Sequence, residues 1–290
     1  MTRWLVTGAR GMLGAELVAA LRRDPAAQVT AATRAELDIT DPVAVNALVT
    51  GHDVVVNAAA YTDVDGAESD EDTAFAVNGH AVRTLAEACD LAGARLIAVS
   101  SDYVFDGEAT APYPEDWPTA PINAYGRSKL AGEQATLKVL PDTGYVVRTA
   151  WLYGAHGPNF ITTMLRRAAA SGPIDVVADQ RGQPTWCREL ARRLIALGQA
   201  AVADTAPAGV YHLTASSATT WHGLAQEVLA ITGHDPARVR PITSERLARP
   251  ARRPRHSVLG CERLRLAGLA PLPHWRDSLR HALTADGALR

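Results

Sequence analysis

A phenol and an ammonium four residues apart, Tyr125 and Lys129, stand on one face of any helix that contains them, about one turn from each other. A phenol has a pKa near ~10 and is a weak proton source at neutral pH. An ammonium within ~4–6 Å favours the phenolate and lowers that pKa. A hydroxyl delivered from another element, Ser101, could hydrogen-bond the same substrate oxygen. The pair is unusual for this chain. Only Lys129 and Lys138 are lysine among 29 basic residues, yet lysine stands here. Arg does not replace a compact ammonium that shares its protons between a phenol and a sugar hydroxyl. An ordinary pair on a solvated helix would have the same spacing.

The elements that must position this pair can be traced from the N-terminus. Arg3–Thr7 is a short β-rich run that ends at Gly8. The pattern Gly8-Ala-Arg-Gly11-Met-Leu-Gly14 follows, and then the helical spacing of Leu13, Leu17, Val18 and Leu21. Strand, glycine turn and helix in that order let backbone approach a diphosphate at a helix N-terminus. A tight turn without a ligand would also use glycines. A second strand, Gln28–Ala32, leads to Thr33 and Arg34, where an NAD site usually has an acidic residue for the ribose. Arg34 with Arg10 would suit the 2′-phosphate of NADP, or both are solvated arginines. Asp38, beside Ile39, could accept from an adenine amino group or serve as a turn residue before the helix that Asp41-Pro42 starts.

Asp53–Asn57 is a buried-type strand that runs into Ala58-Ala59-Ala60-Tyr61-Thr62, where small residues would let a flat cofactor lie against backbone. Ser69–Leu91 predicts one long helix with Phe75, Asn78, Val82, Leu85 and Cys89 on a single stripe. Asn78 is polar on that apolar stripe, and either ties strands together near the site or is a satisfied core amide. Arg95–Ser101 brings Ser101 and Asp102 to the same carboxyl edge, and Gly144–Thr149 is a fifth strand. Strand and helix alternate, which implies a parallel α/β sheet of the doubly wound Rossmann type with right-handed crossovers. The dinucleotide-binding domain is expected over 1–150 with return segments near 186–214. A smaller C-terminal α/β lobe over 151–185 and 215–290 is expected to hold substrate.

Composition narrows the classes. Hydrophobic content of 47%, charged content of 21% and a net charge of −2 describe a globular protein with no global signal for nucleic acid or membrane. Cys89, Cys187 and Cys261 are odd in number and far apart, without metal-site spacing, and read as reduced thiols in the cytoplasm. From Arg238 to Arg265 nine arginines face only Glu245 and Glu262. A diphosphate ligand needs such cations, and Arg252, Arg253 and Arg255 are the candidates. A nucleic-acid surface is the rival for this patch, but no RNA- or DNA-binding motif accompanies it.

Assembled, these residues resemble the dTDP-4-dehydrorhamnose reductase family of extended short-chain dehydrogenase/reductases. The resemblance rests on Gly8–Gly14, Val56–Thr62, Val99-Ser-Ser-Asp-Tyr-Val-Phe-Asp-Gly107 and Asn123–Glu133. It continues in Val147–Gly154, Asn159-Phe160, Ala178-Asp-Gln-Arg-Gly-Gln-Pro-Thr185 and Arg253-Pro254. It implies that Ser101, Tyr125 and Lys129 form the catalytic trio. It also implies that Gly8, Gly11–Leu13 (with Met12 where the family often has Gln), Asp38–Ile39 and Ala58–Thr62 line NADPH or NADH. Asp102, Tyr103, Trp151, Asn159 and Arg253 would hold the dTDP-sugar, and Met164 with Phe160 would open a helix suited to a sugar or base. Some members join two copies through a metal held by glutamates. Glu16 and Glu189 match two such positions without a third, so no metal is expected and a homodimer stays open. The activity implied is reduction of a 4-keto sugar. An epimerase or dehydratase that recycles tightly held NAD, and a non-catalytic nucleotide-binding subunit, are the alternatives.

Overall fold

In the computed structural model, which describes residues 1–284, six parallel strands form one sheet. Residues 285–290 of the expected C-terminal lobe lie outside the described residues. The first strands and helices are β1 (Thr2–Thr7), α1 (Met12–Leu21), β2 (Ala27–Ala32), α2 (Pro42–Val49) and β3 (Val54–Asn57). There follow α3 (Glu71–Phe75), α4 (Ala81–Ala92), β4 (Arg95–Ser101), α5 (Ala124–Val139) and β5 (Gly144–Thr149). Next come α6 (Phe160–Ala169), α7 (Cys187–Val202), β6 (Gly209–His212) and α8 (Trp221–Ile231). The sheet order is β2-β1-β3-β4-β5-β6. The direction of winding reverses between β1 and β3, the place where such sheets open a crevice for ligand.

The central strands are apolar on both faces, as strands covered by helices on each side must be. Val54, Val55 and Val56 of β3 are fully buried, as are Leu5 and Val6 of β1. One hydrophobic cluster joins Trp4, Leu17 and Val56 to Leu194, Leu197 and Tyr211, so α7 and β6 return to the first lobe after the chain has left it. A second cluster gathers Tyr153, Ile161, Trp186, Val228 and Trp275 and forms the core of the smaller lobe. There, Ile174–Val177 pairs in parallel with Val239–Ile242. Among the described residues, no helix is long and apolar enough to cross a membrane.

The long helix expected over Ser69–Leu91 is not continuous. It begins at Glu71, widens into a π-helical turn over Ala76–His80 and resumes as α4. Asn78 sits in that turn. Its Oδ1 accepts from the Tyr61 backbone N–H at 3.0 Å, and its Nδ2 donates to the Tyr61 carbonyl and to Ser128 Oγ, both at 3.0 Å. The amide therefore joins the loop after β3 to α5, and the wide turn lets those bonds form without breaking the helix. Gly132 of α5 faces the same turn. A Cβ there would lie 2.2 Å from the Asn78 carbonyl oxygen. On a free helix surface Gly→Ala stabilises by about 1 kcal/mol. Here overpacking should prevail, and Gly132→Ala is expected to destabilise by about 1–3 kcal/mol in chemical unfolding. A variant as stable as the parent would show that α5 and the π-turn are not in close contact.

Candidate active site

The site is built where β1, β3 and β4 end. Thr7 Oγ1 donates to Asn57 Oδ1 at 2.6 Å, a buried bond that ties β1 to β3 at the reversal point. Gly8 follows at φ +65°, in the left-handed region that favours glycine. A Cβ on Gly8 would lie 2.7 Å from the Ala59 nitrogen, so glycine turn and alanine loop touch backbone to backbone. Gly11 caps α1 without a side chain, and the first turn of α1 carries no acid. The exposed N-terminal N–H groups and helix dipole fit a diphosphate. Met12 is packed against Gly154 and Asn159. Leu13 and Ile39 are buried, whereas Arg10 and Arg34 are exposed. Asp38 is a turn residue: its Oδ1 accepts from Thr40 N–H at 3.0 Å and Thr40 Oγ1 at 2.7 Å. The turn role of Asp38 uses Oδ1 alone.

Asn123 caps α5 by accepting from Gly126 N–H at 2.7 Å, and Glu68 Oε1 accepts from Ala124 N–H at 2.8 Å. Gly126 lies against the Tyr103 carbonyl, where a Cβ would be 2.2 Å away. These contacts press the first turn of α5 onto the end of β4 and set the Tyr125 ring beside Tyr103, two residues after Ser101. Ser101 Oγ donates to Asp102 Oδ1 at 2.9 Å and accepts from Tyr103 N–H at 3.2 Å. The Tyr103 and Tyr125 rings meet edge to face, with centroids 5.9 Å apart. Lys129 Nζ donates to the Val99 carbonyl at 2.7 Å.

The electrostatics depart from the expectation that Lys129 makes the phenol acidic. Burial, helped by the Asp102 charge, pushes Tyr125 up to about 12, and only Ser101 opposes the rise. Burial also brings Lys129 down to about 8, against the pull of Glu133. Desolvation dominates both shifts, neither group contributes to the shift of the other, and the ammonium is bonded to a backbone carbonyl. Glu133 belongs to a buried network that composition did not reveal. Arg148 Nη2 donates to Glu133 Oε2 at 2.7 Å, and Ser100 Oγ donates to Glu133 Oε1 at 2.5 Å. These two side chains come from β5 and β4, so the network fixes α5 on the two strands beneath it.

A cavity of about 410 Å³ lies in the smaller lobe and reaches the first lobe at Tyr103; Phe160, Met164, Gln180, Trp221 and Arg253 also line it, among others. Trp151 has φ 45° and stacks flat on Trp221, with ring centroids 3.6 Å apart. Gly182 makes room for that stack, since a Cβ would be 2.5 Å from Trp151 Cε2. Gln180 Oε1 accepts from Trp221 Nε1 at 3.1 Å. Of the three candidate arginines only Arg253 lines the cavity, whereas Arg252 and Arg255 are exposed outside it. Arg249 lines it instead. Asn159 has a local role. Its Oδ1 accepts from Thr162 N–H at 3.1 Å, and its Nδ2 donates to the Gly154 carbonyl at 2.9 Å, so the side chain is occupied in capping α6. Trp221 and Gln180 were not singled out from sequence. The Asp179–Thr185 motif was the available signal for Gln180.

Both glutamates considered for a metal have other partners. Glu16 pairs with Arg188 at 3.4 Å, and Glu189 accepts from Ser278 Oγ. Among the described residues, no group of three acidic, His or Cys side chains is placed to hold a metal.

The family model described as the RmlD substrate binding domain matches residues 2–287. The chain belongs to this family. It is 58% identical to a dTDP-4-dehydrorhamnose reductase of Streptomyces griseus, covering 98% of this chain and 93% of that one. It is 49% identical to a dTDP-4-keto-6-deoxy-D-glucose reductase of Streptomyces niveus, covering 98% of each. Among solved structures it resembles the Bacillus anthracis dTDP-4-dehydrorhamnose reductase in complex with NADP. That match has a TM-score of 0.90 and 34% identity, and covers 98% of this chain and 99% of that one. The fold class and the family expected from sequence are thus borne out.

Asp102 generates a prediction within this geometry. Its Oδ2 has no hydrogen-bond partner among the described residues, and burial lifts its pKa from 3.8 to about 6 despite hydrogen bonds from Ser257 and Ser101. A carboxyl that holds its proton more tightly in the folded state favours folding at low pH. It loses that advantage as pH rises between the two values. Asp102→Asn should therefore gain stability relative to the parent between pH 4 and pH 7, by up to about 3 kcal/mol. Urea unfolding at both pH values measures this, and a difference that does not change with pH would contradict it.

Proposed function

We propose that this protein is an NAD(P)H-dependent 4-ketoreductase of a dTDP-4-keto-6-deoxyhexose, reducing dTDP-4-dehydro-L-rhamnose to dTDP-L-rhamnose. The observation that carries the reading is the packing of the first turn of α5 on the end of β4, which sets Tyr125 against Tyr103 beside Ser101, with Lys129 one helical turn behind and bonded to the same strand. NADPH, when bound, supplies the hydride that reduces C4. The glycine turn from Gly8 to Leu13 and the loop from Ala58 to Thr62 would hold it. The close backbone contact at Gly8 and the uncapped start of α1 support that fit. Arg10 and Arg34 are the residues that would meet a 2′-phosphate.

Tyr125 then acts as general acid toward the carbonyl oxygen. Its raised pKa keeps the phenol protonated at neutral pH. An alkoxide is a stronger base than a phenolate, so the proton still moves downhill as charge develops. Ser101 supports the same oxygen with a hydrogen bond that strengthens with that charge. Lys129 would hold the nicotinamide ribose and stabilise the phenolate left behind. The partnerless Oδ2 of Asp102 is the acceptor we assign to a sugar hydroxyl, with Trp151 orienting the ring. Tyr103 and Arg253 face the nucleotide sugar. The cytoplasm, where the three free thiols stay reduced, is the compartment that suits this chemistry.

A second reading concerns the product. The Streptomyces niveus relative is named for a different 4-keto sugar, so NMR of the product of one incubation distinguishes the two reductions. For the reaction itself, Tyr125→Phe should lower kcat by roughly 10²–10⁴-fold, with KM changed far less. The assay is NADPH oxidation with the keto-sugar nucleotide. Undiminished turnover in the variant would remove Tyr125 as the acid.

A further inference from the structure

The segment 249–253 of the smaller lobe is fastened to the cofactor side by one carboxylate. Asp65 follows the Ala58–Thr62 loop and directly precedes the short turn Gly66–Glu68. Its Oδ1 accepts from Arg253 Nη1 at 2.6 Å and from the Ala251 backbone N–H at 3.2 Å. Its Oδ2 accepts from Arg249 Nη1 at 3.0 Å. Both arginines line the cavity assigned to the sugar nucleotide. A second tether, from Asn123 Nδ2 to the Arg252 carbonyl at 2.8 Å, attaches the same segment to the cap of α5. Burial alone would raise the Asp65 pKa, but the bonds from Arg253, Ala251 and Arg249 outweigh it and hold the carboxyl at about 2.

Two effects of this carboxylate on an incoming anion have opposite sign. It offsets part of the positive charge of the arginines, which weakens attraction. It also fixes two long side chains before the ligand arrives, and an Arg side chain carries about 2 kcal/mol of rotamer entropy. The Arg249 side chain is 54% exposed, so its long-range attraction is screened by salt, whereas its freedom would be large without Asp65. Each guanidinium uses Nη1 on Asp65, and the planar fork carries further N–H donors. Preorganisation is the larger effect.

We propose that Asp65 is a positioning residue for the sugar-nucleotide substrate, holding Arg249 and Arg253 so that their remaining donors meet its diphosphate. This inference rests on the ketoreductase reading of the same cavity. Asp65 takes no part in hydride or proton transfer, so its removal acts on binding.

The experiment titrates dTDP and NADPH separately into the parent, Asp65→Asn, Arg249→Gln and the double variant, and measures kcat and KM for each. Loss of charge-assisted hydrogen bonds predicts a dTDP Kd raised roughly tenfold in Asp65→Asn, with KM raised in parallel. NADPH affinity and kcat should stay within about twofold, which loss of fold or of the cofactor loop would not allow. In the double variant the two losses should be less than additive, because both act through one contact. Unchanged or tighter dTDP binding in Asp65→Asn would overturn the inference, as would an equal loss of NADPH affinity. Should Asp65→Asn not fold, Arg249→Gln decides: weakened dTDP binding supports the inference and unchanged binding overturns it. A parent protein that binds NADPH but no dTDP would overturn the substrate reading itself, and this inference with it.

Discussion

The hydrogen bond from Lys129 Nζ to the Val99 carbonyl fixes the catalytic helix on the sheet. Val99 lies two residues before Ser101 on β4, so this bond sets the register between the strand that carries the hydroxyl and the helix that carries the phenol. It forms only because α5 lies unusually close. Gly126 and Gly132 leave no side chain between the helix and the backbone of Tyr103 and Asn78. The bidentate Glu133–Arg148 pair secures the next turn of the helix, with Ser100 as its third member. Buried ion pairs contribute little net stability compared with apolar packing, but breaking one by removing a single partner costs about 3–5 kcal/mol. Their value here is geometric: they allow one position for α5 and therefore one position for Tyr125.

The same burial decides the proton chemistry. A phenol and an ammonium in water, one turn apart, would favour the phenolate. In this site Lys129 is buried and Tyr125 half-buried, and desolvation disfavours the charged form of each. The phenol stays protonated, which is the state a reductase needs before the carbonyl is reduced. Asp102 lies in the same enclosure with one oxygen unbonded among the described residues. The site thus combines an acid that holds its proton with a buried acceptor able to orient a hydroxyl.

Much of this was legible in the sequence where the determinants are local. Apolar runs identified β1 to β5 within a residue or so, because buried parallel strands have few other compositions. The glycine turn, the Tyr125/Lys129 spacing and the position of Ser101 followed from short-range chemistry. What was not legible depends on contacts distant in sequence. Asp65 meets arginines 184 and 188 residues further on, and no local pattern announces that. The π-turn around Asn78 follows from the close approach of α5, so its helical stripe looked regular. Asn159 ahead of α6 caps that helix, a role its position allows as readily as a ligand contact. The nine clustered arginines showed a cationic region without showing which of them enter the cavity.

The central claim is that hydride from a nicotinamide reaches C4 of the keto sugar while Tyr125 protonates its oxygen. Incubation with NADPH deuterated at nicotinamide C4 on the transferred face, followed by NMR of the sugar nucleotide, tests it directly. The account predicts one deuterium at C4 of the product for each NADPH oxidised. A product without deuterium at C4, or a changed sugar formed with no net NADPH oxidation, would contradict it and favour chemistry that recycles its cofactor.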